Sequence, residues 1–166
     1  GAAVRWGRGL IDGGRLGRIV SAEVHFSSDT AMRLPEGSWR LRPDQCPLLP
    51  MMQLGIHGID LVHALVGPTR TVAAFARAVT TAGGVVDSVA ASFVLEGGEL
   101  GTLVSNYCSP VAFSFRIAGT EGMLAGKPAV LVFTPRREGT PETCDASADG
   151  FASYTTQMQA FADSVR

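Results

Sequence analysis

Gln53, His57 and Asp60 stand at i, i+4 and i+7 across the run Leu54-Gly55-Ile56-His57-Gly58-Ile59-Asp60-Leu61-Val62. On an α-helix, residues three and four apart share a face. The three therefore make one polar stripe beside Leu54, Leu61 and Leu65. An imidazole with a carboxylate one turn away can move a proton near neutral pH. The ring would exchange the proton while the carboxylate holds its orientation. The same spacing also suits a His–Asp pair that only satisfies its own hydrogen bonds beside a core. Just upstream, Trp39-Arg40 offers an aromatic face and a guanidinium, which suits stacking on a sugar or binding an anion. It equally suits a Trp that pins its loop while Arg40 bonds a helix or a carboxylate.

Other chemistries have less to stand on. His63 follows Asp60 by three residues, so His57, Asp60 and His63 could be drawn as metal ligands. The two histidines, however, lie about 240° apart around a helix of ~3.6 residues per turn, and no metal is expected. Ser105, Cys108 and Ser109 lack the strand–turn–helix setting of a nucleophile elbow. Cys46, Cys108 and Cys144 are widely spaced with no C-x-x-C among them, so neither a zinc ribbon nor a thioredoxin-like pair is available. Reduced thiols and a cytoplasmic setting are the expectation.

The elements that must position the stripe follow from pattern. Residues 5–12 read as a short helix ended by Gly13-Gly14. Residues 18–28 alternate: Val20, Ala22, Val24 and Phe26 face one way, and Ser21, Glu23, His25 and Ser27 the other. That is a strand with one polar face. Residues 29–50 hold Pro35, Pro43, Pro47 and Pro50 without periodicity and read as a long loop, a kind of segment that is often functional. The stripe-bearing helix spans residues 51–66 and stops at Gly67-Pro68. Strands are expected over 71–80, 86–95, 100–107, 113–118, 123–124 and 129–134, with turns at Gly97-Gly98 and at Gly119-Thr120-Glu121-Gly122. Residues 135–150 read as a polar loop. Tyr154, Met158, Phe161 and Val165 then recur at helical spacing. Strands joined by hairpins imply an α+β domain, a mainly antiparallel open β-sheet with helices packed on one face.

A chain of 166 residues with 46% apolar composition is expected to be one domain with a real core. Its net charge of −1 gives no basic footprint for nucleic acid or an anionic membrane. No run of ~18 apolar residues is present to span a bilayer, and no signal-peptide pattern opens the sequence. Apolar residues on both alternations of 86–95 and 100–104 predict burial on both sheet faces, and so a homo-oligomer formed through the sheet.

Four stretches, taken together and in this order, resemble one family. They are GLIDGGRLGRIVSAEVHFS (9–27), SWR followed by PMMQLGIHGIDLVHALVGP (38–40 and 50–68), DSVAASFVLEGGELGTLVSNY (87–107) and FRIAGTEGML (115–124). The likeness is to the C-terminal domain of the glucose–fructose oxidoreductase / inositol dehydrogenase (Gfo/Idh/MocA) oxidoreductases, running from about residue 5 to the end. It implies a glyceraldehyde-3-phosphate-dehydrogenase-like C-terminal fold for residues 1–166 and a homo-oligomer. It implies a parent enzyme that uses NAD or NADP on a hydroxyl of a sugar, cyclitol or similar small molecule. His57 would be the acid/base partner of that hydroxyl, Asp60 its orienting neighbour, Gln53 a substrate contact, and Trp39 and Arg40 part of the pocket wall.

The dinucleotide-binding half of such an enzyme is expected to lie outside these residues. Its usual device is a Gly-rich turn between a strand and a helix. Gly7-x-Gly9 has neither the preceding strand nor the third glycine, so no cofactor is expected on this chain alone. The family's lysine in Glu-Lys-Pro has no counterpart either, since the sole lysine, Lys127 in Gly-Lys-Pro, stands far down the chain. The sequence ends directly after an amphipathic stretch, which suggests a boundary within a longer protein. Two features depart from the resemblance. Gln53 replaces an Asp that many members carry four residues before the histidine, and CPLLP (46–50) replaces a Gly-rich stretch. A neutral amide donates and accepts hydrogen bonds but cannot stabilise an imidazolium as a carboxylate does. A binding or scaffold domain that kept the fold and lost the chemistry is therefore the alternative.

Overall fold

The computed structural model describes residues 1–127, 129–147 and 149–165. Helix α1 (Ala2–Asp12) leads into β1 (Ile19–Ser27), and a long connection then reaches α2 (Ile56–Leu65). Strands β2 (Thr69–Arg77), β3 (Ser88–Leu95), β4 (Leu100–Asn106), β5 (Ala112–Gly119), β6 (Gly122–Lys127), β7 (Val130–Pro135) and β8 (Glu142–Asp145) follow, and α3 (Asp149–Ser164) closes the order. The sheet runs β2-β3-β4-β1-β5-β6-β7-β8. Neighbours are antiparallel except β1 and β4, which pair in parallel from Ser21↔Leu100 to Ser27↔Asn106. A parallel pair needs a crossover, and here it comprises the long connection, α2 and the β2–β3 hairpin. This is the expected α+β class with a mainly antiparallel open sheet.

Helices α1 and α2 pack on one face of that sheet, over Ala22, Val24, Leu103, Phe115, Ile117 and Leu124. Close approach depends on a missing side chain. A Cβ on Gly7 would stand 2.9 Å from Leu124 Cδ2 and 3.4 Å from Leu65 Cδ2, so α1 rests directly on α2 and β6. Arg8 pairs with Asp12 at 2.9 Å and donates to the Leu65 carbonyl at 3.4 Å. That places a cation at the C-terminal end of α2, where the helix dipole favours it. On the sheet itself, Phe93 lies over Gly101 and Phe115 over Gly126, so each aromatic ring fills the place of an absent cross-strand side chain.

The long connection is more ordered than its sequence predicts. It contains 3₁₀ turns at Thr30–Arg33 and Trp39–Leu41, and its own small core of Ala31, Cys46 and Leu49 packs with Val85 and Tyr107. Its local apolar residues pack against a distant part of the chain, which is why no period announces them. Strand β8 forms inside the predicted polar loop 135–150. Its residues Glu-Thr-Cys-Asp lack an apolar alternation, and pairing with β7 and the Arg15–Glu142 ion pair (2.5 Å) hold it in place.

The second face of the sheet is uncovered in the single chain: Ala90, Ser92, Leu100, Thr102 and Val104 are exposed. The centre of that face is polar, where Glu23 and Arg116 pair at 2.5 Å beside His25 and Lys127. Strand β2 is exposed throughout, with Phe75 85% accessible. The helix foreseen at the C-terminus is α3, and its stripe of Tyr154, Met158 and Phe161, with Val165 just beyond, is 63–72% exposed. No helix among the described residues is long and apolar enough to cross a membrane.

Candidate functional site at the start of helix α2

The stripe-bearing helix is not uniform. Met51–Gly55 forms a π-turn before the regular α2 begins at Ile56. Pro50 stands just before the π-turn and has no N–H to leave unpaired, and the buried Ser105 hydroxyl donates to the Pro50 carbonyl at 3.1 Å. Gly55 lies against Ser105 and Met51, and a Cβ on Gly58 would stand 2.7 Å from Val24 Cγ1 and 3.3 Å from Leu103 Cδ1. These glycines seat the helix on β1 and β4 and turn the opposite side, bearing His57 and Asp60, to solvent. π-turns of this kind often occur at functional sites.

His57 and Asp60 line an open groove of about 350 Å³ with Val4, Phe26, Leu61 and Phe113. The His57 ring centroid is 6.4 Å from that of Phe26, and Phe26 and Phe113 pack at 4.9 Å as the groove floor. His57 and Asp60 share the groove, yet no hydrogen bond joins them, and neither is paired to another group among the described residues. The arrangement is an exposed imidazole and a carboxylate over an aromatic floor, both free to meet a ligand. Phe26 was legible only as one member of an alternating strand. Its role as floor depends on pairing with Phe113 across β1 and β5.

Trp39, Arg40 and Gln53 form a second group. Arg40 Nε donates to Gln53 Oε1 at 3.2 Å, and its guanidinium lies 4.7 Å from the Trp39 ring centroid. Arg40 N also donates to Ser38 Oγ at 3.4 Å, which caps the short 3₁₀ turn. Arg40 lies close enough to the buried Cys46 to act on it: burial pushes that thiol up, and the Arg40 charge opposes the shift. The five predicted site residues thus gather into two clusters, with Gln53 in the π-turn and His57 in the first turn of α2.

Three other residues fall elsewhere. His63 turns away from the groove, with Nε2 3.0 Å from Thr69 Oγ1 and accepting from Thr69 N at 3.2 Å, and it closes the α2–β2 turn. No group of three or more His, Cys, Asp or Glu converges among the described residues. Lys127 lies on the open face with Glu23 and His25, on the far side of the sheet from α2. Asp87 was not foreseen. It is fully buried and accepts from Val79 N, Thr80 N and Thr80 Oγ1 at 2.8 Å each and from Thr81 N at 3.1 Å. Burial pushes its carboxyl up, but these hydrogen bonds, led by Thr80, hold it below the usual carboxylate range. A short loop rich in donors beside an Asp is the signal that could have found it.

Residues 4–125 match the model of the GFO/IDH/MocA C-terminal domain. The chain belongs to this family. Solved structures of family type share its fold. A protein from Desulfitobacterium hafniense described as an NADPH-dependent oxidoreductase superposes with a TM-score of 0.78 at 25% identity, over 86% of this chain and 46% of that one. Levoglucosan dehydrogenase in complex with NADH and levoglucosan gives 0.73 at 21%, over 84% and 42%. An inositol dehydrogenase homologue complexed with NAD+ from Azotobacter vinelandii gives 0.72 at 18%, over 86% and 40%. This member of the GFO/IDH/MocA family therefore spans less than half the length of these relatives. No curated protein sequence matches it.

Gly7 and Gly9 lie inside α1, and Gly7 is buried against Leu124 and Leu65 rather than presenting backbone N–H groups to a phosphate.

Proposed function

We propose that this chain is the C-terminal, substrate-side domain of an NAD(P)-dependent oxidoreductase acting on a hydroxyl of a sugar, cyclitol or similar polyol. The observation that carries the reading is the exposed His57–Asp60 stripe over the Phe26–Phe113 floor, in a domain of this family. His57 would contact the reacting hydroxyl and hold or release its proton. Asp60, one turn along the same groove, would orient the ring or a second hydroxyl. Trp39, Arg40 and Gln53 would bind the remainder of the substrate. NAD or NADP would be bound by another part of the parent enzyme, a reading supported by the place of Gly7-x-Gly9 inside α1. In full-length enzyme, His57→Ala should lower turnover by about 10²–10⁴-fold, the usual cost of a lost acid/base group, and Asp60→Asn by clearly less. Turnover indifferent to His57→Ala, with circular dichroism unchanged, would make the stripe structural.

One observation favours a second reading. Gln53, which stands where many family members carry a carboxylate, is a neutral amide already engaged by Arg40. A domain that binds a polyol-like ligand without chemistry would tolerate that. The His57→Ala comparison separates the two readings. We also propose that the chain forms a homo-oligomer through its open sheet face, supported by exposed Phe75, Leu100 and Val104 on the side of that face formed by β2, β3 and β4.

A further inference from the structure

The long connection carries three arginines, and their partners differ. Arg33 pairs with Asp29, and Arg42 pairs with Asp44 at 3.0 Å. Arg40 has no carboxylate partner among the described residues. It is half-buried, stacked on Trp39 at 4.7 Å, and bonded through Nε to the Gln53 amide oxygen at 3.2 Å. A guanidinium held in place by an aromatic plane and a neutral acceptor keeps its full charge. Four of its five donors remain available as a flat fork.

The bond to Gln53 also fixes the polarity of its neighbour. A guanidinium has no acceptor, so only the carboxamide oxygen can face it, and the Gln53 amino group must point elsewhere as a further donor. The Trp39 indole N–H adds another and has no hydrogen-bond partner among the described residues. Every free polar group of the cluster is thus a donor, and one of them is charged. Such a cluster suits an oxyanion, because fork-shaped donors meet two oxygens of a carboxylate or phosphate in parallel. Gln53, in the π-turn, precedes His57, in the first turn of α2, by four residues.

We infer that Trp39, Arg40 and Gln53 form an oxyanion subsite, so that the substrate is an acidic sugar derivative rather than a neutral polyol. The assignment of the hydroxyl-bearing end to His57 rests on the oxidoreductase reading above; the oxyanion subsite does not. Sugar carboxylates and sugar phosphates share this chemistry, and the test tells them apart.

The 166-residue chain is titrated with glucuronate, glucose 6-phosphate, glucose and myo-inositol by calorimetry. One or both anions should bind at least tenfold more tightly than the neutral sugars, and the stronger anion identifies the source. The preference should weaken as salt rises. Arg40→Ala should abolish it. Arg40→Lys should retain part, having charge without the fork. Gln53→Glu, of nearly the same size, should reduce anion binding at least tenfold by placing a carboxylate against Arg40. Equal binding of all four probes, no binding of either anion, or anion binding unaffected by both Arg40→Ala and Gln53→Glu would overturn the subsite. The readout is binding alone. A parent enzyme that turns over only neutral polyols would sink this inference and spare the oxidoreductase reading, whereas anion binding without turnover would do the reverse.

Discussion

Asp87 shows how one buried carboxylate organises residues far from it in function. Its four hydrogen bonds hold Val79, Thr80 and Thr81, and its own backbone N–H donates to the Arg77 carbonyl at 3.2 Å. The segment so fixed presents Val85 to the small core with Cys46 and Leu49, and Val86 bridges Leu48. Asp87 thus anchors the end of the connection that leads into the π-turn. Because its folded carboxyl is held below the ordinary range, its stabilisation is complete above the unfolded value of about 3.9. It is lost as pH falls through the lower folded value. Asp87→Asn should cost about 2–4 kcal/mol at neutral pH, since donors lose a charged acceptor and the amide nitrogen cannot accept. Urea unfolding of both proteins at neutral pH and near pH 3 checks this. The gap should narrow in acid, and a gap that stays constant or widens would refute the assignment.

At the scale of elements, the seating of α2 on the sheet decides which residues face the groove. Helix propensity alone favours Ala over Gly in an exposed interior position by about 1 kcal/mol. Gly58 should reverse that sign. Its added methyl would press on Val24, a stiff β-branched side chain, and on Leu103. Gly58→Ala should therefore destabilise by roughly 1–3 kcal/mol, the usual range for overpacking. It should also disturb the groove, because the helix can relieve the clash only by lifting. A thermal melt in which Gly58→Ala unfolds at a higher temperature than the parent chain would show that the contact is not tight. Strand β8 belongs to this scale too. Its Glu-Thr-Cys-Asp residues form a strand because β7 supplies an edge and Cys144 packs, partly buried, against the main core, with the exposed Arg15–Glu142 pair beside them.

At the scale of the whole molecule, two expectations follow from which surfaces are covered. The open sheet face combines exposed apolar side chains on β2, β3 and β4 with the Glu23–Arg116 pair at its centre. Association through such a face should be measurable as a mass above the monomer by light scattering at high micromolar concentration. A monomer throughout would remove the proposal. Salt should tune the association, because exposed ion pairs are screened. Separately, the chain alone should not bind NADH or NADPH in calorimetric titration, since its Gly7-x-Gly9 lies inside helix α1 rather than in a turn between a strand and a helix. A dissociation constant in the low micromolar range would contradict this.

Periodicity and turn residues carried most of the architecture. Alternation along 18–28 located β1, Gly97-Gly98 located the β3–β4 hairpin, and Gly67-Pro68 ended α2. These features rest on local stereochemistry and on burial patterns that repeat within one element, so the sequence states them directly. It also put forward His57, Asp60, Gln53, Trp39 and Arg40 as candidates for chemistry and binding. Tertiary structure decided how they group. It divided them between a His57–Asp60 groove and a Trp39–Arg40–Gln53 cluster, and supplied the Phe26–Phe113 floor and the Ser105 bond to the π-turn. It also placed Lys127 on the opposite face and buried Asp87 under four donors. Each of these depends on pairing between residues distant in sequence. A single strand's alternation determines which side chains share a face, but only strand register and helix seating determine what lies opposite them.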